Sequence, residues 1–318
     1  MANLNKLKTI DLFAGIGGIR IAFEEAGFET IYSSDFDKYC SVTFNTNFDN
    51  PKLDCKDIKQ TTSQDLPDAD LLLGGFPCQP FSIAGYRRGL KDSGRGDLFF
   101  DILRILSEKR PPAFLLENVK NLYSHDKGET YKLIKSELEK IGYKVKEKVL
   151  NTMEYGNLPQ NRERIYIVGF LDENSFNKFN FPEPLELKVK IQDLLESNVA
   201  EKYYYNNKPL FDKLKNDVVD QNIVYQWRRK YVRANKKGVS PTLTANMGTG
   251  GHNVPIIKDI KGIRKLTPRE CARIQGFPDS YTLPTQLPDS ALYKQIGNSV
   301  SIPVVNRIAL NIKNALIS

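Results

Sequence analysis

The stretch Gly74–Ser82 (GGFPCQPFS) places one cysteine, Cys78, between two prolines and directly after an apolar run. Open α/β sheets bind ligands at the carboxyl ends of their strands, and the loop that follows Ala69–Leu73 starts at such an end. Pro77 and Pro80 restrict the backbone on both sides of the thiol, so the loop holds Cys78 in few orientations. An oriented thiol at a sheet edge is typical of a nucleophile.

Charged side chains stand where two later strands begin or end. Glu117 ends an apolar strand, so we expect its carboxyl group at the same sheet edge as Cys78. Arg162 and Arg164 alternate along a strand that enters Ile165–Phe170, which predicts that both point to one face. Each of these charges is also compatible with a simple ion pair, and their grouping with Cys78 is what favours a catalytic site.

A glycine-rich turn, Asp11–Gly18 (DLFAGIGG), joins the first predicted strand to the first helix. Asp35 follows Gly15 by twenty residues at the end of the second strand, where a carboxylate can bind ribose hydroxyls. A nucleoside cofactor fits this pattern, and Asp11 suits one with a positively charged amino-acid end. The cofactor class stays open, because the third glycine of the dinucleotide fingerprint is absent, and a tight turn without a ligand remains the alternative.

The elements that must position these groups alternate between strand and helix. Strands are predicted at 8–13, 29–33, 69–73, 113–117, 144–150 and 165–170, and helices at 19–26, 98–110, 130–141 and 303–317. Such alternation indicates right-handed βαβ units. We therefore predict an α/β fold with a doubly wound, mostly parallel sheet.

The positive charge of the chain is concentrated in one segment. Residues 186–270 contain 17 Lys and Arg against 9 Asp and Glu, which accounts for the whole net charge of +8. Aromatic and basic residues interleave at Tyr225–Arg233, a pattern that favours a nucleic-acid partner. We expect a first domain at 1–185, a second at 186–270, a hinge and connection at 271–297, and a C-terminal helix at 298–318 that returns to the first domain.

Composition excludes several other classes of protein. No apolar run reaches the length of roughly 18 residues that a membrane helix needs, and we expect a cytoplasmic protein. The cysteines have no C-x-x-C spacing and the two histidines are far apart, so we expect no metal site and no disulfide framework. Cys40, Cys55 and Cys271 are predicted to be small buried residues.

Six ordered motifs resemble those of the DNA (cytosine-5) methyltransferases of bacterial restriction-modification systems. The resemblance spans residues 8 to 310 and rests on the following segments: Asp11–Gly18, Phe76–Ser82, Glu117–Val119, Gln160–Arg164, Arg269–Asp279 and Gln295–Val300. It implies a Rossmann-like fold, S-adenosylmethionine as cofactor without a metal, and a smaller target-recognition domain at 186–270.

The resemblance also implies a mechanism for the charged residues. The Cys78 thiolate would add to C6 of cytosine, which raises the electron density on C5. Glu117 would hold a proton at N3, and its burial would favour the protonated carboxyl. Arg164 would bind O2 of the base, with Arg162 in support, and their charge would favour the thiolate. C5 then takes the methyl group, and loss of its proton expels Cys78.

Cofactor contacts are carried over residue by residue. They are Phe13, Ala14, Gly15, Gly17, Gly18, Asp35, Phe36, Asp57, Ile58, Pro77, Leu98, Asn298 and Val300. At two of these positions the family commonly has glutamate and tryptophan, where this chain has Asp35 and Phe36. The shorter side chain and smaller ring are expected to weaken cofactor binding without changing the cofactor.

The expected partner is double-stranded DNA, with the target cytosine flipped out of the stack. We expect a monomer that is paired in function with a restriction endonuclease without a stable complex. Arg228, Arg229, Lys230 and Arg233 are predicted to bind phosphates. The other predicted DNA contacts are Ser82, Arg87, Arg88, Arg95, Thr242, Thr244, Asn246, Gly248, Gly250, Gly251 and His252.

Three alternatives remain open on the sequence. A tRNA cytosine-5 methyltransferase shares the Pro-Cys-Gln and Glu-Asn-Val motifs, but usually carries a Cys-Phe-Thr signature and no long basic recognition segment. A nucleic-acid-binding relative that has lost catalysis is disfavoured by the presence of Cys78, Glu117 and Arg164. A nucleotide-dependent oxidoreductase would explain the glycine turn alone.

Overall fold

A computed structural model describes residues 6–77, 98–235, 237–247 and 255–317. The chain divides into two compact units. The first consists of Met1–Leu150, Glu163–Pro182 and Val305–Ser318, and the second of Asn151–Arg162 and Glu183–Val304. The domain boundaries given above stay a prediction.

The first unit is built on a six-stranded sheet. Its strands are β1 (Lys8–Leu12), β2 (Glu29–Ser34), β3 (Leu71–Gly75), β4 (Ala113–Val119), β5 (Lys144–Asn151) and β7 (Glu163–Phe170). The strands lie in the order β2-β1-β3-β4-β7-β5. β1 pairs in parallel with β2 and β3, and β3 pairs in parallel with β4. β4 pairs antiparallel with β7. The predicted α/β fold with a mostly parallel sheet is confirmed.

Continuous apolar runs explain why the central strands are buried on both faces. Leu71, Leu72 and Leu73 of β3 are fully buried, as are Phe114 and Leu116 of β4. Strands covered by helices on both sides lack the alternation of polar and apolar residues that a half-exposed strand shows. Burial of these side chains fixes β3 and β4 at the centre of the sheet, where they hold the loops at its edge.

Helices connect and cover these strands. Those of the first unit are α1 (Gly18–Glu25), α2 (Lys38–Asn47), α3 (Leu98–Lys109), α4 (Asn121–Ser124), α5 (Glu129–Lys140), α7 (Glu173–Lys178) and most of α11 (Ile302–Ile317). Asp37 begins α2 by accepting hydrogen bonds from the backbone amides of Tyr39 and Cys40. The predicted helices agree with α1, α3, α5 and α11 to within two residues at each end, whereas α2 was not predicted.

The second unit contains a four-stranded sheet and a short parallel pair. The sheet has the order β12-β11-β8-β9, formed by β8 (Val224–Trp227), β9 (Val232–Asn235), β11 (Pro255–Lys258) and β12 (Ile263–Lys265). The parallel pair joins β6 (Gln160–Asn161) to β10 (Ser240–Pro241). Its helices are α6 (Thr152–Tyr155), α8 (Phe211–Leu214), α9 (Pro268–Gln275) and α10 (Asp289–Asn298).

A buried ion pair attaches α9 to the four-stranded sheet. The guanidinium of Arg264 on β12 binds both carboxylate oxygens of Glu270 at 2.8 Å. Glu270 also accepts a hydrogen bond from the backbone amide of Thr267, which caps α9. Arg264 also binds Asp259, so loss of Glu270 would leave it one carboxylate partner, whereas loss of Arg264 would remove the guanidinium that neutralises the buried Glu270 carboxylate.

Candidate active site

The turn after β1 holds its backbone in a conformation that few residues adopt. Phe13 has a φ of 60°, which is uncommon for a residue with a side chain, and Gly15 and Gly17 have φ values of 54° and 80°. The backbone amide of Gly15 donates to Asp35 Oδ2 at 2.9 Å. Such strain is concentrated at functional sites, and here a carboxylate from the end of β2 stabilises it.

Two glycines of this turn have opposite surroundings. A Cβ on Gly17 would lie 2.4 Å from the ring of Phe48, whereas a Cβ on Gly15 would meet no described heavy atom within 4 Å. Arg20 packs on the same Phe48 ring, with its guanidinium carbon 4.2 Å from the ring centroid. Gly17 is therefore required by protein packing, and Gly15 leaves space at the sheet edge.

Asp11, the last-but-one residue of β1, is fully buried, and its two carboxyl oxygens accept no hydrogen bond from the described residues. Burial raises the pKa of Asp11 well above its usual range, and the nearby Arg20 charge opposes this effect only in part. An unpaired polar group buried in this way carries a desolvation cost that a bound cation would offset. The arrangement fits a ligand with a positively charged end.

The other predicted cofactor residues of the first unit follow the first turn or lie near the ends of neighbouring strands. Phe36 directly follows Asp35, and its side chain is 69% exposed, which leaves a ring face open for stacking. Ile58 is buried at the start of a short 3-10 helix that Asp57 caps. Ala14 and Gly18 are buried, Pro77 is exposed and Leu98 begins α3.

Cys55 lies beside this region and corrects one prediction. Its side chain is exposed, and its Sγ donates to the carbonyl oxygen of Phe36 at 3.7 Å. The expectation of a buried residue is wrong for Cys55, because it lies in an irregular segment at the edge of the sheet. Cys40 and Cys271 are buried as predicted.

Glu117 and Arg164 meet on adjacent strands. The register of β3 and β4 places Glu117 opposite Gly75, three residues before Cys78 in the chain. The register of β4 and β7 places Arg164 opposite Val119, and Arg164 Nε lies 3.1 Å from Glu117 Oε1. Both side chains are nearly buried, with exposed fractions of 13% for Arg164 and 10% for Glu117. The structure thus brings two of the four predicted catalytic residues together.

The other predicted catalytic residues are placed differently. Cys78 lies outside the described residues, as do Ser82, Arg87, Arg88, Arg95, Gly248, Gly250, Gly251 and His252. Arg162 precedes β7 and belongs to the second unit. The prediction that both arginines lie on one strand is wrong, because Arg162 falls between β6 and β7, where its backbone hydrogen-bonds to Asn151 and Thr152.

Arg162 makes a buried network of its own. It is 2% exposed, and its guanidinium donates to the carbonyl oxygens of Leu243, Gly297 and Ser299. A Cβ on Gly297 would lie 2.2 Å from the carbonyl oxygen of Thr244, so this close approach requires glycine. Arg162 therefore holds together three backbone segments of the second unit.

Two glutamines that the sequence did not single out belong to the same network. Gln160 donates to Gln275 Oε1 and accepts from the backbone amide of Leu243, and Gln275 donates to the carbonyl oxygen of Ile296. These bonds support the segment that carries Asn298, which is exposed, and Val300, which is buried. Both glutamines lie inside motifs that carry the family resemblance, Gln160–Arg164 and Arg269–Asp279. Their position in these motifs was the signal by which the sequence could have identified them.

Asn118 is a further residue that the sequence analysis missed. It is 1% exposed, and its Nδ2 donates to the carbonyl oxygen of Phe76 at 2.9 Å. Its Oδ1 accepts from the backbone amide of Val119 at 2.8 Å. Asn118 therefore fixes the backbone two residues before Cys78, and its position next to Glu117 was the signal.

The described DNA-contact candidates lie in the second unit. Arg228, Arg229 and Lys230 are exposed at the turn between β8 and β9, and Arg233 is exposed on β9. The Thr242 hydroxyl donates to the carbonyl oxygen of Asn161 at 2.7 Å.

Thr244 and Asn246 hydrogen-bond to each other at 2.6 Å. The hydroxyl hydrogens of Thr242 and Thr244 are therefore already engaged within the protein. Base readout by either hydroxyl would use its lone pairs.

Residues 7–314 match the family described as C-5 cytosine-specific DNA methylase, and the chain belongs to this family. The sequence resemblance is thereby confirmed, and the protein is a DNA cytosine-5 methyltransferase.

The chain is 50% identical over 316 residues to Type II methyltransferase M.Bsp6I of Bacillus sp. (strain RFL6), with 98% of this chain and 100% of that protein covered. It is 41% identical to Type II methyltransferase M.HhaI of Haemophilus parahaemolyticus, with 98% and 96% covered. The S. pombe Dnmt2 methyltransferase structure has a TM-score of 0.75 at 21% identity, with 99% of this chain and 100% of that chain covered, which establishes the shared fold.

Proposed function

We propose that the protein transfers a methyl group from S-adenosylmethionine to C5 of a flipped-out cytosine in a short specific sequence of double-stranded DNA. The observation that carries this proposal is the close approach of Arg164 and Glu117 at the sheet edge from which β3 leads to Cys78. The reaction must engage three atoms of cytosine, and we assign C6 to the thiol of Cys78, N3 to the carboxyl of Glu117 and O2 to the guanidinium of Arg164.

The first unit supports binding of S-adenosylmethionine. Asp11 offers a buried, unpaired carboxyl for a positively charged group, and Gly15 leaves open space beside it. Asp35 and Phe36 follow β2, where a carboxylate and an exposed ring suit ribose and adenine. When bound, this cofactor supplies an electrophilic methyl group. In the described residues no group of three or more His, Cys, Asp or Glu is arranged to hold a metal ion.

Cys78 is the proposed nucleophile. Its sulfur forms a bond to C6, and the electron pair of the C5–C6 double bond becomes available at C5. After C5 carries the methyl group, a water molecule accepts the C5 proton, the electron pair of that C–H bond restores the C5–C6 double bond, and the sulfur leaves as thiolate. Asn118 is the positioning residue for this step, because it fixes the carbonyl of Phe76 at the entrance to the loop.

Glu117 and Arg164 are proposed to change partners when the base enters. Paired with Arg164 at 3.1 Å, Glu117 is favoured as a carboxylate, whereas a hydrogen bond to N3 requires the protonated carboxyl. A base whose O2 engages the guanidinium draws Arg164 away from Glu117, which lets burial favour protonation. Arg162 takes no direct part in this proposal and supports the second unit through its three carbonyl acceptors.

We further propose that the enzyme is a bacterial cytoplasmic monomer of a restriction-modification system. Its methylation would protect host DNA from a cognate endonuclease without a stable complex between the two proteins. The names of the Type II relatives support this role. Among the described residues, no helix is long and apolar enough to span a membrane.

The experiment that tests the proposal supplies purified protein with S-adenosylmethionine carrying a labelled methyl group, and with either duplex DNA or tRNA. Nucleoside analysis should find labelled 5-methylcytosine in the duplex, and bisulfite sequencing should place it in one short sequence. Label in tRNA alone would instead identify an RNA methyltransferase. Cys78→Ser is the matched control, which should bind duplex DNA and transfer no methyl group.

A further inference from the structure

A polar groove with a volume of about 520 Å³ lies within the second unit, beside the β8–β9 hairpin. Three basic residues line it, Arg228, Arg233 and Lys237, and none of the described lining residues is acidic. The amide and hydroxyl side chains around them include Asn161, Gln226, Asn235, Thr242 and Thr244. A basic groove with neutral hydrogen-bonding groups is suited to DNA, because it can bind both phosphates and base edges.

The hairpin divides its side chains between this groove and an apolar core. Tyr225, Trp227 and Val232 pack in or against the cluster that contains Ile256. Successive side chains on a strand point to opposite faces, so the residues between them face the other way. Gln226 and Arg233 are direct cross-strand partners, and both line the groove. Their side chains thus form one pair on its wall.

Gln226 is an unusual residue in this position. Gln226 is only 3% exposed, and it nevertheless lines the groove. A side chain held by packing presents its amide donor and acceptor to a ligand in a fixed orientation. Arg233 is exposed and lines the same groove. Both groups are available to a ligand in the groove.

We propose that Gln226 and Arg233 read bases of the DNA target, an inference that rests on the proposed function and deepens it. A neutral amide gains little from a phosphate, but its donor and acceptor match a base edge, and an arginine fork matches O6 and N7 of guanine. Arg228 and Lys237 neutralise phosphates along the same groove. This assignment moves Arg233 from the phosphate contacts, where the charge pattern alone placed it, to the base contacts.

The test compares sequence preference with salt dependence. Gln226→Met removes the amide at nearly constant volume, and Arg233→Lys keeps the charge but removes the fork. Each variant methylates a pool of duplexes with randomised bases around a cytosine, and bisulfite sequencing gives the preferred target. Both variants should relax discrimination at one or two base positions by about fivefold or more, while the salt dependence of DNA binding stays as in the wild type.

Lys230→Met is the matched control, because Lys230 is exposed at the turn and lies outside the groove lining. It should weaken binding to all sequences alike and reduce the salt slope by about 1. Gln226→Glu adds a second test, because a carboxylate accepts from N4 of cytosine and should shift the preference toward that base.

An unchanged target profile in folded Gln226→Met and Arg233→Lys would overturn the inference, as would a uniform loss at all sequences. A wild type that methylates no duplex in the pool would overturn the proposed function instead.

Discussion

Arg164 Nε lies 3.1 Å from Glu117 Oε1, across an antiparallel pair of strands whose register brings Arg164 opposite Val119. The pair is nearly buried at the edge where β3 ends. This contact supports the proposal that one carboxyl serves in two states: as a carboxylate bound to arginine, and as a protonated acid bound to a base.

Glu117→Gln should reduce kcat by roughly 10²–10⁴-fold, because an amide cannot exchange a proton with N3. DNA affinity should change little, since the side chain keeps its size. Single-turnover methylation and a binding isotherm on the same duplex measure the two effects. Glu163→Gln is the control, because Glu163 forms an exposed ion pair with Lys120 and should retain activity. Equal losses in binding and rate for Glu117→Gln would indicate a structural role.

The two arginines of the Gln160–Arg164 motif should respond differently to replacement by lysine. Arg164→Lys should keep the melting temperature near that of the wild type and lower kcat by about 10²-fold, since it loses a positioned donor. Arg162→Lys should instead lower stability by about 1–3 kcal/mol, because buried carbonyls lose hydrogen bonds. Thermal unfolding and initial methylation rates of both variants distinguish a loss of stability from a loss of catalysis. A stable, inactive Arg162→Lys would place Arg162 in the chemistry.

The contrast between these arginines illustrates what the sequence could predict. Alternating apolar segments and glycine stops indicated the sheet and most of its helices, because burial and chain reversal are encoded locally. The carbonyl partners of Arg162 are 81 to 137 residues away and belong to no recognisable side-chain pattern. The alternation of Tyr225 and Trp227 with Gln226 and Arg228 could have predicted which side chains of the hairpin face the groove. Its interleaved charges instead suggested phosphate contacts alone.

Asp11→Asn should stabilise the cofactor-free protein and weaken S-adenosylmethionine binding. The folded-state pKa of Asp11 is raised, so the folded chain binds more protons than the unfolded chain, and wild-type stability falls as pH rises above about 4. The melting temperature of Asp11→Asn should therefore exceed that of the wild type by an amount that grows as the pH rises above about 4.

Calorimetric titration should show a loss of cofactor affinity of about tenfold or more, because one charged hydrogen bond is removed. Asp49→Asn is the exposed control and should change neither property. Tighter cofactor binding by Asp11→Asn would contradict the assignment.

Alanine at the two glycines of the first turn should separate folding from cofactor binding. Gly17→Ala places a methyl group against the Phe48 ring and should lower the melting temperature substantially. The added methyl group of Gly15→Ala meets open space, so the variant should lose about 1 kcal/mol of folding stability because of the positive φ at this position. It should also bind the cofactor more weakly. Thermal shifts with and without S-adenosylmethionine distinguish these effects. A Gly15→Ala protein with wild-type affinity would show that the space beside Gly15 is not used.

Covalent addition of Cys78 to cytosine is the central claim, and trapping of the adduct tests it most directly. Fluorine at C5 of the target cytosine cannot leave as a proton does, so the Cys78–C6 bond should persist after methyl transfer. Incubation with such a duplex and S-adenosylmethionine should give a covalent complex with the mass of one protein chain and one DNA molecule. Peptide mapping should place the bond at Cys78. Methylation of ordinary duplex without any trapped species, or a bond mapped to Cys55, would contradict the account.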